Sequence, residues 1–277
     1  MVASRHDRKR RDIEIARRRI HRAGRRNAGL RLRRTRSSLE SRRHRISRRI
    51  SARPPRKSDR VRFLITAGPT REPLDPVRYL SNRSSGKMGY AIAEATLEAG
   101  HEVVLISGPV GIGRPRGAAV IAISTSDEMF DAVHQQARNC DVLVMCAAVA
   151  DYKPAKVSKS KIKKRGANLS LDLIPTRDIL ASLPKDRKYI VVGFAAETEN
   201  VEANARKKLE EKDCDVVVAN DVSQADSGME SDENEVTILF RGGEIKKISR
   251  APKKIVAREL IKIFANVCEK RLTKKIA

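Results

Sequence analysis

Five short segments carry side chains suited to phosphate and acyl chemistry. Ser84-Ser85-Gly86 sets two hydroxyls and unbonded backbone N–H groups ahead of a helical stretch. That arrangement suits a phosphate and equally serves ordinary helix capping. Lys159-Ser160-Lys161-Ile162-Lys163-Lys164 places four lysines in six positions between turn-forming residues, giving either a cationic flap over a triphosphate or a solvated charge run. Met145-Cys146-Ala147-Ala148-Val149-Ala150-Asp151 ends an apolar run in small residues. Small side chains let a planar ligand approach the backbone, and Asp151 offers a carboxylate to a ribose hydroxyl or a metal-bound water; the alternative is a packed strand end with Asp151 as a cap. Phe194, in Gly193-Phe194-Ala195-Ala196-Glu197-Thr198, is either a platform for a base or a core aromatic. Lys208 and Lys212 lie four apart on one helical face, extending a phosphate site or pairing with Glu210 and Glu211.

Several familiar chemistries are excluded by spacing. Gly86-Lys87 lacks the glycine five positions earlier that a P-loop needs, and Met88 stands where that loop has its magnesium-binding hydroxyl. The opening apolar run does not lead through G-x-G-x-x-G into a helix, so the linear dinucleotide fingerprint is absent. Gly111-Ile112-Gly113 is a proline-bounded surface loop. Cys140, Cys146, Cys214 and Cys268 form no CxxC pair; the first three sit in or beside apolar runs as small hydrophobes, which fits a reducing compartment.

The elements that must position these residues follow from hydrophobic periodicity. Val61–Thr66, Glu102–Ser107, Asp141–Ala147, Tyr189–Phe194 and Asp215–Ala219 are Val/Ile/Leu-rich runs of buried-strand length. Helices are predicted over Lys87–Ala99, ending at Gly100; over Ser126–Asn139, whose Ser-x-x-Met start leaves the capping box incomplete; and over Asn200–Lys212 and Lys253–Lys270. Strand–helix alternation of this kind predicts an α/β, doubly wound, mostly parallel sheet with ligands at the strands' carboxyl ends. Asn234–Phe240 and Glu244–Ile248 around Arg241-Gly242-Gly243 read as an added antiparallel hairpin, and Asp221–Glu233 as a loop. The connection from Ala67 to Gly89 holds three prolines, and a loop of that length inside a domain is usually functional.

Charge divides the chain. The net +25 is concentrated in residues 1–60, which hold 22 Arg and 2 Lys against 5 Asp+Glu. That head is expected to be disordered, followed by a linker at Pro54-Pro55, with a single domain over residues 61–277. It reads as a stretch without a role, as a nucleic-acid arm, or as a targeting presequence weakened by Asp7, Asp12 and Glu14. No apolar run reaches the roughly 20 residues of a membrane helix and no signal-peptide core follows Met1, so a cytoplasmic location is expected.

Taken in order, TAGPTREPLDPVRYLSNRSSGKMGYAIAEA, AAVADYKP, KIKK, GFAAETEN and ANDVS closely resemble bacterial phosphopantothenoylcysteine synthetase, the ligase half of the bifunctional coenzyme A biosynthesis flavoprotein. The likeness spans about residues 61–272 and leaves out the head. It implies a Rossmann-like domain that dimerises and, with CTP and Mg²⁺, couples 4′-phosphopantothenate to cysteine through an acyl-cytidylate. It implies catalytic roles for Asn82 at that intermediate and for Lys161 on a closing lid. It places nucleotide contacts at Met145, Cys146, Ala147, Asp151, Lys161, Asp178, Ile179, Leu180, Phe194, Lys208 and Lys212. The family's Asn-Pro-Asp-Ile reads Thr176-Arg177-Asp178-Ile179 here, so Arg177 is carried over as a departure from the pattern. The phosphate loop is Gly68 with Ser84, Ser85 and Gly86, and Arg78 resembles a dimer contact; metal ligands are not assigned. Sixty Arg-rich residues are too few for the flavin-binding decarboxylase of the bifunctional protein, so a monofunctional ligase without flavin is expected, with the decarboxylase as a separate chain. Two alternatives stand beside this reading: a nicotinamide-dependent oxidoreductase, from fold analogy, and a nucleic-acid-binding protein acting through the head. The physical expectation that joins the motifs is that Asn82 and Lys161 converge on one triphosphate pocket.

Overall fold

The computed structural model describes residues 60–164, 166, 168–222 and 231–273. The expectations for the Arg-rich head and for most of the Asp221–Glu233 loop therefore lie outside the described residues.

Among the described residues, twelve strands and four helices follow one another from Arg62. Strand β1 (Arg62–Ala67) leads into a two-stranded hairpin, β2 (Arg71–Pro73) with β3 (Tyr79–Ser81), and then helix α1 (Lys87–Glu98). After it come β4 (Glu102–Ser107), β5 (Ala119–Ala122), α2 (Ser126–Ala137) and β6 (Val142–Met145). A second small hairpin pairs β7 (Tyr152–Pro154) with β8 (Leu173–Pro175). The chain closes with β9 (Ile190–Glu197), α3 (Val201–Glu211), β10 (Val216–Asp221), β11 (Glu233–Phe240), β12 (Ile245–Pro252) and α4 (Lys253–Thr273).

Eight strands form one sheet in the order β12-β11-β10-β9-β6-β1-β4-β5. The six from β5 to β10 are parallel, and β11 and β12 add to β10 antiparallel. Counted along the chain, the parallel strands lie third, second, first, fourth, fifth, sixth, the Rossmann order with its switch point between β1 and β6. The doubly wound sheet with an antiparallel hairpin is thus as predicted. Alternating residues explain it. Phe63, Ile65, Val142, Val144, Val192, Val216 and Val218 pack with α1 and α4 on one face. Leu64, Ile106, Leu143, Val191 and Val217 pack with α2 and α3 on the other. Both faces are covered, so the central strands carry apolar side chains on both faces along most of their length.

Besides the two small hairpins, three features depart from the sequence reading. Edge strand β5 was not anticipated, because its four residues follow the Pro- and Gly-rich segment 108–117 and have no strong period. The capping box of α2 is complete: the N-cap is Thr125, its hydroxyl accepts from the Glu128 N–H, and Glu128 answers to the Thr125 N–H. Counting from Ser126 had put Met129 where Glu128 belongs. Strand β12 runs to Pro252, four residues beyond the predicted end at Ile248. Among the described residues no helix is long and apolar enough to cross a membrane.

Candidate active site

Two cavities lie at the carboxyl edge of the sheet, one on each face. The first, of about 260 Å³, is walled by Asn82, Ser84, Gly86, Met88, Cys146 and Asn234, among others, on the α1–α4 side. The second, of about 340 Å³, is walled by Met145, Thr176, Asp178, Ile179, Leu180 and Lys212, among others, on the α2–α3 side. Ala147, Val149, Asp151, Phe194 and Lys208 line both. A ligand reaching from one cavity to the other would cross the ends of β6 and β9.

The edge is built by the segment after β1 lying against the segment after β6. Thr70 N–H donates to Ala148 O at 3.2 Å and Ala148 N–H to Gly68 O at 2.9 Å. Two buried threonines hold the small-residue run in place. The Thr66 hydroxyl accepts from Cys146 N–H and Ala147 N–H, both at 3.1 Å, and the Thr70 hydroxyl accepts from Ala150 N–H at 3.0 Å. Neither threonine was singled out from the sequence; their only signal is a hydroxyl within or just beyond an otherwise apolar strand.

Ser84-Ser85-Gly86 does not cap α1 in the ordinary way. The N-cap is Gly86, in the left-handed region at φ 76°, with no side-chain cap bond. The Ser84 and Ser85 hydroxyls sit 3.4 and 3.5 Å from the N–H groups of Gly86 and Lys87, long for hydrogen bonds. The first-turn N–H groups of Met88 and Gly89 have no acceptor within the helix, and both residues line the first cavity. A Cβ on Gly89 would lie 2.6 Å from Ala67 Cβ, so this helix end is pressed onto β1. A Cβ on Gly86 would lie 3.3 Å from Gly68 Cα. The tight turn and the close helix–strand approach that a linear Gly-rich fingerprint gives are therefore met by Gly68, Gly86 and Gly89, with a long insertion between the first and the others.

Asn82 is exposed and donates from Nδ2 to Val149 O at 3.0 Å, which sets its amide over the shared part of the two cavities. Lys161 is also exposed but lies outside both linings. It stands on the long connection between β7 and β8, whose neighbouring residue is firmly tied: Ile162 N–H donates to Asp75 Oδ2 at 3.0 Å, and the Arg78 guanidinium donates to Ile162 O. Asp75 also accepts from Val77 N–H, Arg78 N–H and the Arg78 side chain. Burial pushes its carboxyl up, but the donors from Ile162, Arg78 and Val77 outweigh that and hold it well below the usual range. The loop that carries Asn82 and the segment that carries Lys161 thus share one anchor, although the two side chains do not meet.

The remaining predicted residues divide. Lys208 donates to Phe194 O at 2.7 Å, and burial lowers its pKa. Lys212 pairs with Asp178 at 2.7 Å. Neither takes Glu210 or Glu211 as its ion-pair partner, so the alternative read from the sequence does not hold; Lys207 pairs with Glu211 instead. Burial raises the Asp178 carboxyl, yet the Ala181 N–H and Lys212 bring it down overall. Arg177 lines the second cavity and is tied to α2, bonding Asp127 and Asp131 with its guanidinium 3.9 Å over the Phe130 ring. Burial pushes the Cys146 thiol up to about 12, so it is a neutral wall of the first cavity. Asn220, Asn234, Lys87 and Lys253 also line that cavity. They come from elements far apart along the chain, and sequence reading missed them. Among the described residues no group of three or more His, Cys, Asp or Glu could hold a metal ion.

Comparison with known proteins places this geometry. The chain is 44% identical over 204 residues to the coenzyme A biosynthesis bifunctional protein CoaBC of Vibrio vulnificus, covering 72% of this chain and 51% of that protein. The Escherichia coli K12 protein of the same name is 46% identical over 189 residues, covering 66% of this chain and 47% of that one. The chain therefore spans about half the length of these curated relatives. Among solved structures, the C-terminal domain of CoaBC superposes with a TM-score of 0.66 at 42% identity, over 76% of this chain and 96% of that one. A Cab2 mutant in complex with phosphopantothenate-cysteine shares the fold, with a TM-score of 0.65 at 15% identity, over 79% of this chain and 89% of that one. Residues 59–267 match the family described as the DNA/pantothenate metabolism flavoprotein C-terminal domain, and the chain belongs to that family.

Proposed function

We propose that this chain is a phosphopantothenate–cysteine ligase that activates its acid with CTP. The observation that carries the reading is the pair of cavities meeting over Ala147, Asp151, Phe194 and Lys208. Activation of a carboxylate by a nucleotide needs two anionic substrates held end to end, with the acyl carbon at the junction. The second cavity, with Asp178, Lys208 and Lys212, takes the nucleotide. The first, with the open N-terminus of α1, takes the phosphorylated acid.

In the first step a carboxylate oxygen attacks the α-phosphorus, the bond to the bridging oxygen breaks, and pyrophosphate leaves. In the second the amine of cysteine attacks the acyl carbon, the C–O bond to CMP breaks, and the amine loses a proton as the amide forms. A carboxylate oxygen is a poor leaving group, whereas a nucleoside monophosphate is a good one. Lys208, with its burial-lowered pKa, gains most from an anion placed beside it. The Asn82 amide, released from Val149 O, donates to the acyl oxygen as negative charge develops on it. Lys161 moves in on the lid, its charge opposing that of the phosphates. Magnesium bound with the triphosphate would neutralise part of its charge; of the residues lining both cavities, Asp151 would offer it a carboxylate.

A second copy of the chain fits the hairpin side of the molecule. Val77, Tyr79, Tyr152, Leu173 and Ile174 are each more than 40% exposed there, next to Arg78. An apolar cluster of this kind suits a subunit contact. The oxidoreductase alternative draws no support from any of the relatives found.

The test is pyrophosphate release from the protein with 4′-phosphopantothenate, cysteine and Mg²⁺, with CTP and ATP compared. Release that needs both the acid and CTP is expected. No release with any nucleotide rejects the ligase, and release with ATP alone rejects the choice of CTP. With the reaction in hand, Asn82→Ala is expected to build up acyl-nucleotide.

A further inference from the structure

Helices α1 and α4 begin at the same edge of the sheet and pack side by side. Their first residues are both lysines, Lys87 and Lys253, and both side chains line the first cavity. Lys254 follows Lys253, and the first turns, Lys87–Tyr90 and Lys253–Val256, hold no acidic residue. This is the reverse of what helix dipoles favour, since cations at an N-terminus are repelled by the exposed N–H groups. Lys253 is only 6% exposed. Burial and the nearby charge of Lys87 both lower its pKa. Its ammonium donates to Ser231 O, while Lys87 bonds Asp232 at 2.6 Å. The Asp232 side chain is 88% exposed and easily displaced. Two like charges and two helix N-termini facing one cavity form an arrangement that an anion would stabilise.

We propose that Lys253 and Lys87 receive the phosphate of the acyl substrate and set the selectivity of the site for a phosphorylated over an unphosphorylated acid. This rests on the ligase reading above. The Asp232 carboxylate stands in for that phosphate until substrate arrives and competes with it. A phosphate here bonds the N–H groups opening α1 and both ammonium groups, and the remainder of the acid runs past Asn82 to the shared junction with the nucleotide cavity.

The experiment compares 4′-phosphopantothenate with pantothenate under saturating CTP, Mg²⁺ and cysteine, using the full chain with Lys87→Gln and Lys253→Gln. Each variant is expected to lose roughly 10- to 100-fold in kcat/KM for the phosphorylated acid, as for a charged hydrogen bond. Pantothenate should change less than about 3-fold, and KM for CTP should stay put, if these lysines contact only the phosphate. Equal losses on both acids, or a rise in KM for CTP instead, would overturn the proposal. Because Lys253 is buried, its variant is first checked by thermal melting; should it not fold, Lys87→Gln decides alone by the same criteria. Asp232→Asn is expected to tighten binding of the phosphorylated acid by about 2- to 5-fold at low salt, the scale of an exposed ion pair; weaker binding would count against its role as competitor. Wild-type protein inert with every nucleotide would instead refute the ligase reading. Calorimetric titration with inorganic phosphate then tests the lysines separately, with binding by wild type and none by Lys253→Gln expected; equal binding by both would overturn the proposal.

Discussion

Thr66 shows how one hydroxyl can shape the site without touching a substrate. It accepts two N–H groups, those of Cys146 and Ala147, that would otherwise be buried without partners. Thr66→Val keeps the shape and removes the acceptor, at an expected cost of about 1–3 kcal/mol. Urea unfolding reads that cost, and KM for the nucleotide should rise as the backbone between the cavities shifts. Asp75 has a comparable role for the lid. Its carboxyl is depressed in the folded protein, so its stabilising contribution is full above the unfolded aspartate value near about 3.9 and fades as pH falls below it. Wild type should therefore melt above Asp75→Asn at neutral pH, and the gap should narrow once pH drops below about 4. A gap constant across that range would show that Asp75 acts by shape alone.

At the scale of elements, α1 is placed by the absence of a side chain. Gly89 lets the helix approach until a Cβ would meet Ala67 Cβ at 2.6 Å and Thr66 O at 3.1 Å. In an ordinary helix Gly→Ala gains up to about 1 kcal/mol. Here Gly89→Ala should instead destabilise by about 1–3 kcal/mol, as overpacking does, and should weaken binding of the phosphorylated acid because the helix start moves. Chemical denaturation and substrate titration check the two effects. The strands and helices that bury apolar faces were legible in the sequence, since period 2 and period 3.6 are visible in one chain. The short hairpins β2–β3 and β7–β8 and the edge strand β5 were not. Their three or four residues carry too little periodicity, and pairing with distant or neighbouring segments is what makes them strands.

Over the whole molecule, the edge of the sheet opposite the site is closed by a charge network. Arg187, with a side chain 4% exposed, meets Asp213 at 2.5 Å, and Arg241 and Arg271 reach Asp213 and Asp215. Arg271 also donates to Tyr189 O at 3.2 Å, fastening the end of α4 to the start of β9. Asp213→Ala would leave the Arg187 charge buried and short of a partner, for which about 3–5 kcal/mol is expected. An equilibrium unfolding curve shifted by less than about 1 kcal/mol would mean that Asp215 or water takes over, the range of an exposed pair.

The sequence by itself determined the alternation of the domain, its two buried faces and the order of the motifs, because burial and backbone preference are written locally. It also pointed to Asp151, Phe194, Lys208 and Lys212, and the family resemblance to Asn82 and Asp178, all of which the fold brings to two adjoining cavities. Only the tertiary structure decided that those cavities lie on opposite faces of the sheet. It alone set Lys87 beside Lys253, 166 positions apart in the chain, tied Arg177 at the wall of the second cavity to α2, and left Lys161 outside the cavities. The physical reason is that charges act through space. Which ammonium faces which depends on helices packed from opposite ends of the chain, and no local pattern records that meeting.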